Sequence, residues 1–258
     1  MTAKNPIMDT PLIEIQGLSF SYDGSPVFEN VSLSIPRGDF VCLVGPNGGG
    51  KTTLLKLLLG LLAPTRGMVR IFGHPPAEAR SRMGYLPQGI AADPSFPVSA
   101  ADVVLMGRLG NASTRRALDR EIASRALHDV GLYELRNRPF SSLSGGQRQR
   151  LLIARALATE PEILLLYEPT AHIDIRVEGE LYVLLAALNA RMTIVMVSHD
   201  LRFVPGTVKN VVCVKRGLVA HPTSEISGEI LRELYGGEIR MVRHDLRCAG
   251  GGAECMNS

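Results

Sequence analysis

The sequence predicts an α/β fold: a mainly parallel sheet core, an antiparallel β portion at the N-terminal end, and an inserted helical subdomain. Three observations predict it. The run Phe40 to Val44 is apolar without a break, as a strand buried on both faces must be, and it leads through a glycine-rich turn into the helix Thr52 to Leu62. Two further apolar runs, Ile163 to Leu166 and Thr193 to Val197, end at polar residues, where a parallel sheet presents its chemistry. Between the first run and these two, Leu118, Ile122, Ala126 and Val130 step along one helical face among many charges, in a helical stretch from Ser99 to Val130.

In chain order, Ile13, Ile15 and Leu18 alternate with other residues, and Val27, Val31, Leu33 and Ile35 follow beyond the turn residues Asp23 and Gly24, so two antiparallel strands are expected first. After the inserted stretch, a helix starts behind Ser144 and continues through Ala156. Gly217-Leu218-Val219-Ala220 reads as a turn and a short strand. His221-Pro222-Thr223 then leads toward a helix from about Gly228 to Tyr235, with Ser227 as its N-cap, Glu229 in its first turn and Gly236 just past its end. Apart from a small glycine cluster at 250–252, there is no repeat and no low-complexity segment.

Bulk properties narrow the function classes. With 258 residues and 45% hydrophobic side chains, the chain can bury a full core, as one large domain or a core carrying an inserted subdomain. The balance of 28 basic against 25 acidic residues leaves +3, too little to argue for a nucleic-acid groove or an anionic membrane surface. Cys42 and Cys213 sit in apolar strand-like runs and read as small hydrophobes of a reducing compartment. Cys248 and Cys255 lie in a glycine-rich tail near His244; their spacing matches no standard zinc pattern, and incidental thiols are the alternative to a ligand role. The segment Met1 to Thr10 lacks a secretory pattern, and the longest apolar stretches are broken by Lys56, Gly60 and Pro64. No bilayer span is expected, so work at a membrane requires another chain to supply the channel.

The chemistry-bearing segment is Gly45-Pro46-Asn47-Gly48-Gly49-Gly50-Lys51-Thr52, which has phosphate-loop spacing between the expected strand and helix. Glycines let the backbone curl so that successive N–H groups face phosphate oxygens. The helix N-terminus adds its positive end, Lys51 reaches the β and γ phosphates, and Thr52 ligates Mg²⁺. A phosphate loop specifies a bound nucleotide but not the machine that uses it.

Leu143-Ser144-Gly145-Gly146-Gln147, followed by Arg148, Gln149 and Arg150, resembles the signature sequence of ATP-binding cassette (ABC) proteins. Other positions extend the resemblance in order. Tyr22 stands where the family stacks an aromatic ring on adenine, and Gln88 in Tyr85-Leu86-Pro87-Gln88 matches the Q-loop. Glu168-Pro169-Thr170 follows an apolar strand, Asp174 matches the D-loop and His199 the switch histidine. Singly, Tyr22 reads equally as a packing residue and Gln88 as a solvated one; together they run from Leu12 to about His244.

The resemblance implies a P-loop NTPase, RecA-like core in a single domain over 1–258. Its nucleotide-binding core covers 1–90 and 161–240, the helical signature subdomain 91–160, and the tail 241–258. It implies ATP with Mg²⁺, held by the loop 45–53 including Thr53, with Thr52 and Gln88 on the metal. Catalytic roles fall to Glu168, which orients or deprotonates the attacking water, to His199 on the γ phosphate, and to Gln88 as the sensor toward a permease. Family members pair head to tail, so Ser144, Gly145, Gly146 and Gln147 of one copy close on ATP held by the other, near Asp174. The implied setting is a homodimeric motor of an importer on the cytoplasmic face of the membrane. It is peripheral through integral-membrane permease subunits, which dock near Met106 to Arg108, and meets an extracytoplasmic solute-binding protein only indirectly; no nucleic acid is involved. The triple-glycine loop with Thr52-Thr53, His221-Pro222-Thr223 and Leu234-Tyr235-Gly236 are similar to the zinc and manganese importer branch.

One position departs from the family. Its Walker B strand ends in an aspartate before the catalytic glutamate, but here Leu164-Leu165-Leu166 runs into Tyr167 and then Glu168. A phenol is uncharged at neutral pH and cannot replace a carboxylate that holds Mg²⁺ through water. This predicts impaired hydrolysis and leaves two alternatives beside the importer motor: a nucleotide-binding switch with little turnover, and a cassette ATPase of DNA repair or translation. The second alternative usually carries two cassettes or a coiled-coil insertion, and this chain has one cassette and no heptad run.

Overall fold

Alternation in the N-terminal segment produces two strands, β1 (Ile13–Tyr22) and β2 (Ser25–Ile35), paired antiparallel with Ile13 opposite Ile35 and Phe20 opposite Phe28. The computed structural model describes residues 11–88, 97–110, 116–171, 173–199 and 208–225. Asp23 and Gly24 take positive φ at the hairpin turn. The strand β3 (Phe40–Val44) is buried at every residue and enters α1 (Lys51–Leu58). That helix stops four residues short of the Leu62 expected from sequence. Gly60 turns left-handed at φ 64°, where a Cβ would meet the Ala77 amide nitrogen at 2.8 Å.

Next come β4 (Arg66–Ile71), α2 (Pro76–Ala79) and β5 (Met83–Leu86). Sequence reading missed both strands, since β4 buries only Val69 and Ile71 and β5 is four residues long. The helical stretch is two helices rather than one: α3 (Ala100–Leu105), continued by a tight turn to Arg108, and α4 (Arg116–Asp129). Of the expected face, Ile122, Ala126 and Val130 are buried, whereas Leu118 is 39% exposed and lies off the packed stripe. Then follow α5 (Gly145–Leu157), β6 (Ile163–Tyr167), α6 (Ile175–Asn189), β7 (Thr193–Val197), β8 (Asn210–Val214) and β9 (Leu218–Pro222). The helix expected over 228–235 and the tail cysteines fall outside the described residues.

Two sheets result. β4 joins the N-terminal hairpin antiparallel, in the order β2-β1-β4, while the larger sheet runs β5-β6-β7-β3-β8-β9. Its strands are parallel except β9, which returns antiparallel on β8. Period-two side-chain alternation splits each central strand between two cores. Phe40, Cys42, Val44, Leu164 and Leu166 face the core shared with α3, α4 and α5. Val41, Leu43, Ile163, Leu165 and Tyr167 face the core shared with α1 and the antiparallel sheet. The helical insertion therefore packs on one face of the sheet and the phosphate-loop helix on the other. Burial pushes the Cys42 thiol up to about 12, with Cys213 adding to the shift, as befits a cysteine that packs rather than reacts.

Candidate active site

The site begins where β3 runs out of partners. Gly45 leaves the strand at φ 155°, and a Cβ there would sit 2.2 Å from the Val214 carbonyl oxygen of β8, so the loop clears that strand only with glycine. The Gly49 amide donates to the Pro46 carbonyl at 3.0 Å, closing the turn. Gly50, at φ 108°, is the N-cap of α1 and contributes no side-chain bond, and the Leu54 amide donates to its carbonyl at 2.8 Å. The first amides of α1 consequently remain available to an anion, with the positive end of the helix dipole behind them.

Lys51 is buried, and its Nζ donates to the carbonyl oxygens of Gly45 at 2.7 Å and Pro46 at 2.9 Å. Burial lowers its pKa, and the nearby Glu168 carboxylate opposes that shift. Thr53 is buried beside it, while Asn47, Gly48 and Thr52 are exposed.

The opposite wall comes from the carboxyl ends of β6 and β7. Alternation places Tyr167 on the α1 face, 8% exposed, where the Thr52 Oγ1 hydroxyl donates to its phenol oxygen at 3.1 Å. Glu168 then takes φ 46° while its amide still donates to the Val197 carbonyl at 2.9 Å. That left-handed conformation costs a non-glycine residue about 1 kcal/mol or more, and strain of this kind concentrates at functional sites. It turns the carboxylate out of the strand alternation and toward His199, whose Nδ1 lies 3.3 Å from Glu168 Oε1. Lys51, Thr52, Tyr167, Glu168 and His199 are thus brought together by two strand ends and one helix start.

The other residues named from sequence stand around this group. Tyr22 closes β1 with its ring 42% exposed, edge-on to Phe20 at 4.9 Å between centroids. Gln88 is exposed just past β5. Ser144 caps α5: its hydroxyl accepts from the Gln147 amide at 3.3 Å, and Gln147 Oε1 accepts from the Ser144 amide at 3.0 Å. Ser144 and Gly145 face outward on a helix separate from the phosphate loop. Asp174 is exposed immediately before α6. A contact not foreseen from sequence joins these two ends, because a Cβ on Gly146 would lie 2.3 Å from Val177 Cγ1. Arg150 and Glu180, at 3.3 Å, continue the same α5–α6 seam. The most consequential contact missed from sequence is the one between Thr52 and Tyr167; the alternation of β6 carried the signal, since it aims residue 167 at α1.

Comparisons with known proteins place the chain in a family. The family model described as ABC transporter matches residues 28–171. The manganese transport system ATP-binding protein MntB of Bacillus subtilis is 35% identical over 244 residues, 92% of this chain and 98% of that protein. The zinc import ATP-binding protein ZnuC of Pseudomonas fluorescens is 39% identical over 234 residues, 89% of this chain and 84% of that protein. Among solved structures, cbiO1 from Clostridium perfringens, part of the ABC transporter complex cbiONQ, superposes with a TM-score of 0.77 at 28% identity. That superposition covers 87% of this chain and 94% of cbiO1. Among the described residues, no helix is long and apolar enough to cross a membrane.

Proposed function

This chain belongs to the ABC transporter family, and from that premise we propose that it is the ATP-binding and ATP-hydrolysing subunit of an importer for zinc, manganese or a related metal ion. The observation that carries the nucleotide role is the loop 45–52, with buried Lys51 across from the Glu168–His199 pair. Cargo rests on descent: the relatives similar over most of their length are named for manganese and zinc transport. A motor subunit does not touch cargo, so the test is metal uptake into vesicles holding this chain with its permease. Uptake of neither zinc, manganese nor any other divalent transition-metal ion would refute the cargo.

In this reading two copies close head to tail, with Ser144 to Gln147 of one copy meeting ATP on the phosphate loop of the other. The outward aim of Ser144 and Gly145 supports that arrangement. The permease spans the membrane, the chain sits on its cytoplasmic face near Met106 to Arg108, and the solute-binding protein is reached only through the permease. Met106 is 40% exposed and can face a partner, whereas Arg108 is buried, pairs with Asp119 at 2.9 Å and so falls outside the docking patch, which continues instead to the exposed Leu109. Gln88 is the sensor between the bound nucleotide and the permease, and the exposed Tyr22 offers adenine a stacking face.

The residues fit ATP but not a Mg²⁺ centre of the family kind. Mg²⁺ takes hard oxygen ligands, commonly one or two carboxylates beside the phosphates. Here the hydroxyl of Thr52 is turned to a phenol, and the carboxylate of Glu168 is engaged with His199 rather than standing at the end of β6.

Two measurements test the nucleotide reading. Lys51→Ala removes a charge-assisted contact to phosphate worth about 1.5–3 kcal/mol, so calorimetry should show ATP binding weakened by roughly tenfold or more. Equal affinity in parent and variant would refute the role of Lys51. Gly146→Asp should abolish ATP-dependent dimerisation in sedimentation, because an anion then faces the γ phosphate. Since any side chain at 146 also meets Val177, a melt of the variant accompanies the experiment; a folded variant that dimerises like the parent contradicts the signature assignment.

A further inference from the structure

We propose that the Tyr167 phenol and the Thr52 hydroxyl form a metal-replacing pair, so that this site takes a nucleoside triphosphate whose binding hardly depends on Mg²⁺. The inference rests on the nucleotide reading above and concerns the form of nucleotide that the site accepts. A carboxylate at the end of β6 is acceptor-only and negative; beside a polyphosphate it is tolerable when a cation lies between them. Tyr167 removes that charge. Its oxygen lies 3.1 Å from the Thr52 hydroxyl; with Thr52 as the donor of that bond, the phenol proton is left to donate to a phosphate oxygen directly. A charge-assisted donor thus stands where the family arrangement needs a carboxylate and a metal.

Three features of the chain make this arrangement consistent. The phenol is held in place, 8% exposed, because it belongs to the packed α1-side core rather than to a mobile loop. The carboxylate next in sequence does not substitute for the missing one, since Glu168 leaves the strand at positive φ and pairs with His199. Positive charge for an uncompensated triphosphate is supplied within the loop by Lys51 and by the uncapped start of α1. The ligand class is therefore a metal-free nucleoside triphosphate, with the metal complex bound no better.

The experiment is calorimetric titration of the full chain with ATP in excess EDTA and in excess Mg²⁺, for the parent, Tyr167→Asp, Tyr167→Phe and Lys51→Ala. The parent should show affinities within about threefold of each other in the two buffers, and Tyr167→Asp should bind about tenfold tighter with Mg²⁺ than without, the scale of one charge-assisted contact. Tyr167→Phe, which keeps the ring and its packing, should lose about tenfold in EDTA for want of the donated hydrogen bond. A parent that binds more than threefold tighter with Mg²⁺, or a Tyr167→Phe variant that matches the parent in EDTA, overturns the proposal while leaving the nucleotide reading intact. Lys51→Ala binding as tightly as the parent, or no variant binding ATP in either buffer, overturns the nucleotide reading and the proposal with it.

Discussion

Tyr167→Asp should raise the steady-state ATPase rate by on the order of a hundredfold, measured with the permease present and at saturating Mg²⁺. In the reading proposed above, what the parent lacks for hydrolysis is a carboxylate at the end of β6. Glu168 is beside His199, Lys51 is under the loop, and the α1 amides are open. Stabilisation of developing charge by a bound metal is worth several kcal/mol, and each roughly 1.4 kcal/mol is a factor of ten in rate. An aspartate restores a hard oxygen ligand and frees the Thr52 hydroxyl from its bond to the phenol. The substitution also has a structural cost. Tyr167 belongs to the α1-side core, so trading its ring for a short carboxylate leaves space that the strand ends cannot fully close. The variant should melt at a lower temperature and nonetheless turn over faster. A gain in rate alongside a loss in stability separates a local chemical repair from a general improvement in folding. Equal rates in parent and variant would show that this position does not limit turnover, and would favour the low-turnover switch only if both rates were low.

The parts of this site that were legible in the sequence are those whose chemistry is written into local order. The phosphate loop could be read because its glycines sit between a wholly apolar strand and a helix, and packing gives a steric reason for three of them: Gly45 and Gly49 pass the Val214 carbonyl, and Gly50 passes the Phe28 ring. The cap of α5 could be read because Ser144 and Gln147 stand three residues apart, and both arms of the capping box are made. Central strands could be read from their uninterrupted burial. By contrast, β4 and β5 carry too few buried residues to leave a periodic trace, and the end of α1 depended on how Gly60 packs against Ala77, a tertiary contact. The same distinction holds within the site. Sequence order identified Tyr167 as a departure, but its pairing with Thr52 depended on which face of β6 it occupies. The turn of Glu168 toward His199 depended on a backbone conformation that no pattern of residue types specifies. The contact of Gly146 with Val177 is of the same kind: a glycine readable as a ligand-facing residue also makes room for a neighbouring helix.

Glu168→Gln, introduced into the Tyr167→Asp variant, should lower its ATPase rate by about 10²–10⁴-fold, the range that general acid–base catalysis contributes. The change is nearly isosteric, keeps a carbonyl oxygen in the carboxylate's place, and leaves the left-handed backbone at 168 under the same demand, so its effect on folding should be small. What it removes is basicity toward water and the ionic half of the contact with His199 at 3.3 Å. The background matters: in the parent, a step already limited at residue 167 would mask part of the loss, because residues acting as one unit are not additive. His199→Ala in the same background distinguishes the two roles. If His199 only orients Glu168, its removal should cost less than loss of the carboxylate, and Glu168→Gln with His199→Ala should be no slower than Glu168→Gln alone. If His199 also binds the γ phosphate, the double change should be slower again and should weaken ATP affinity, which Glu168→Gln by itself should not. A Tyr167→Asp, Glu168→Gln chain that retains the full rate of Tyr167→Asp would remove Glu168 from the chemistry, and with it the reason for reading its strained backbone as functional.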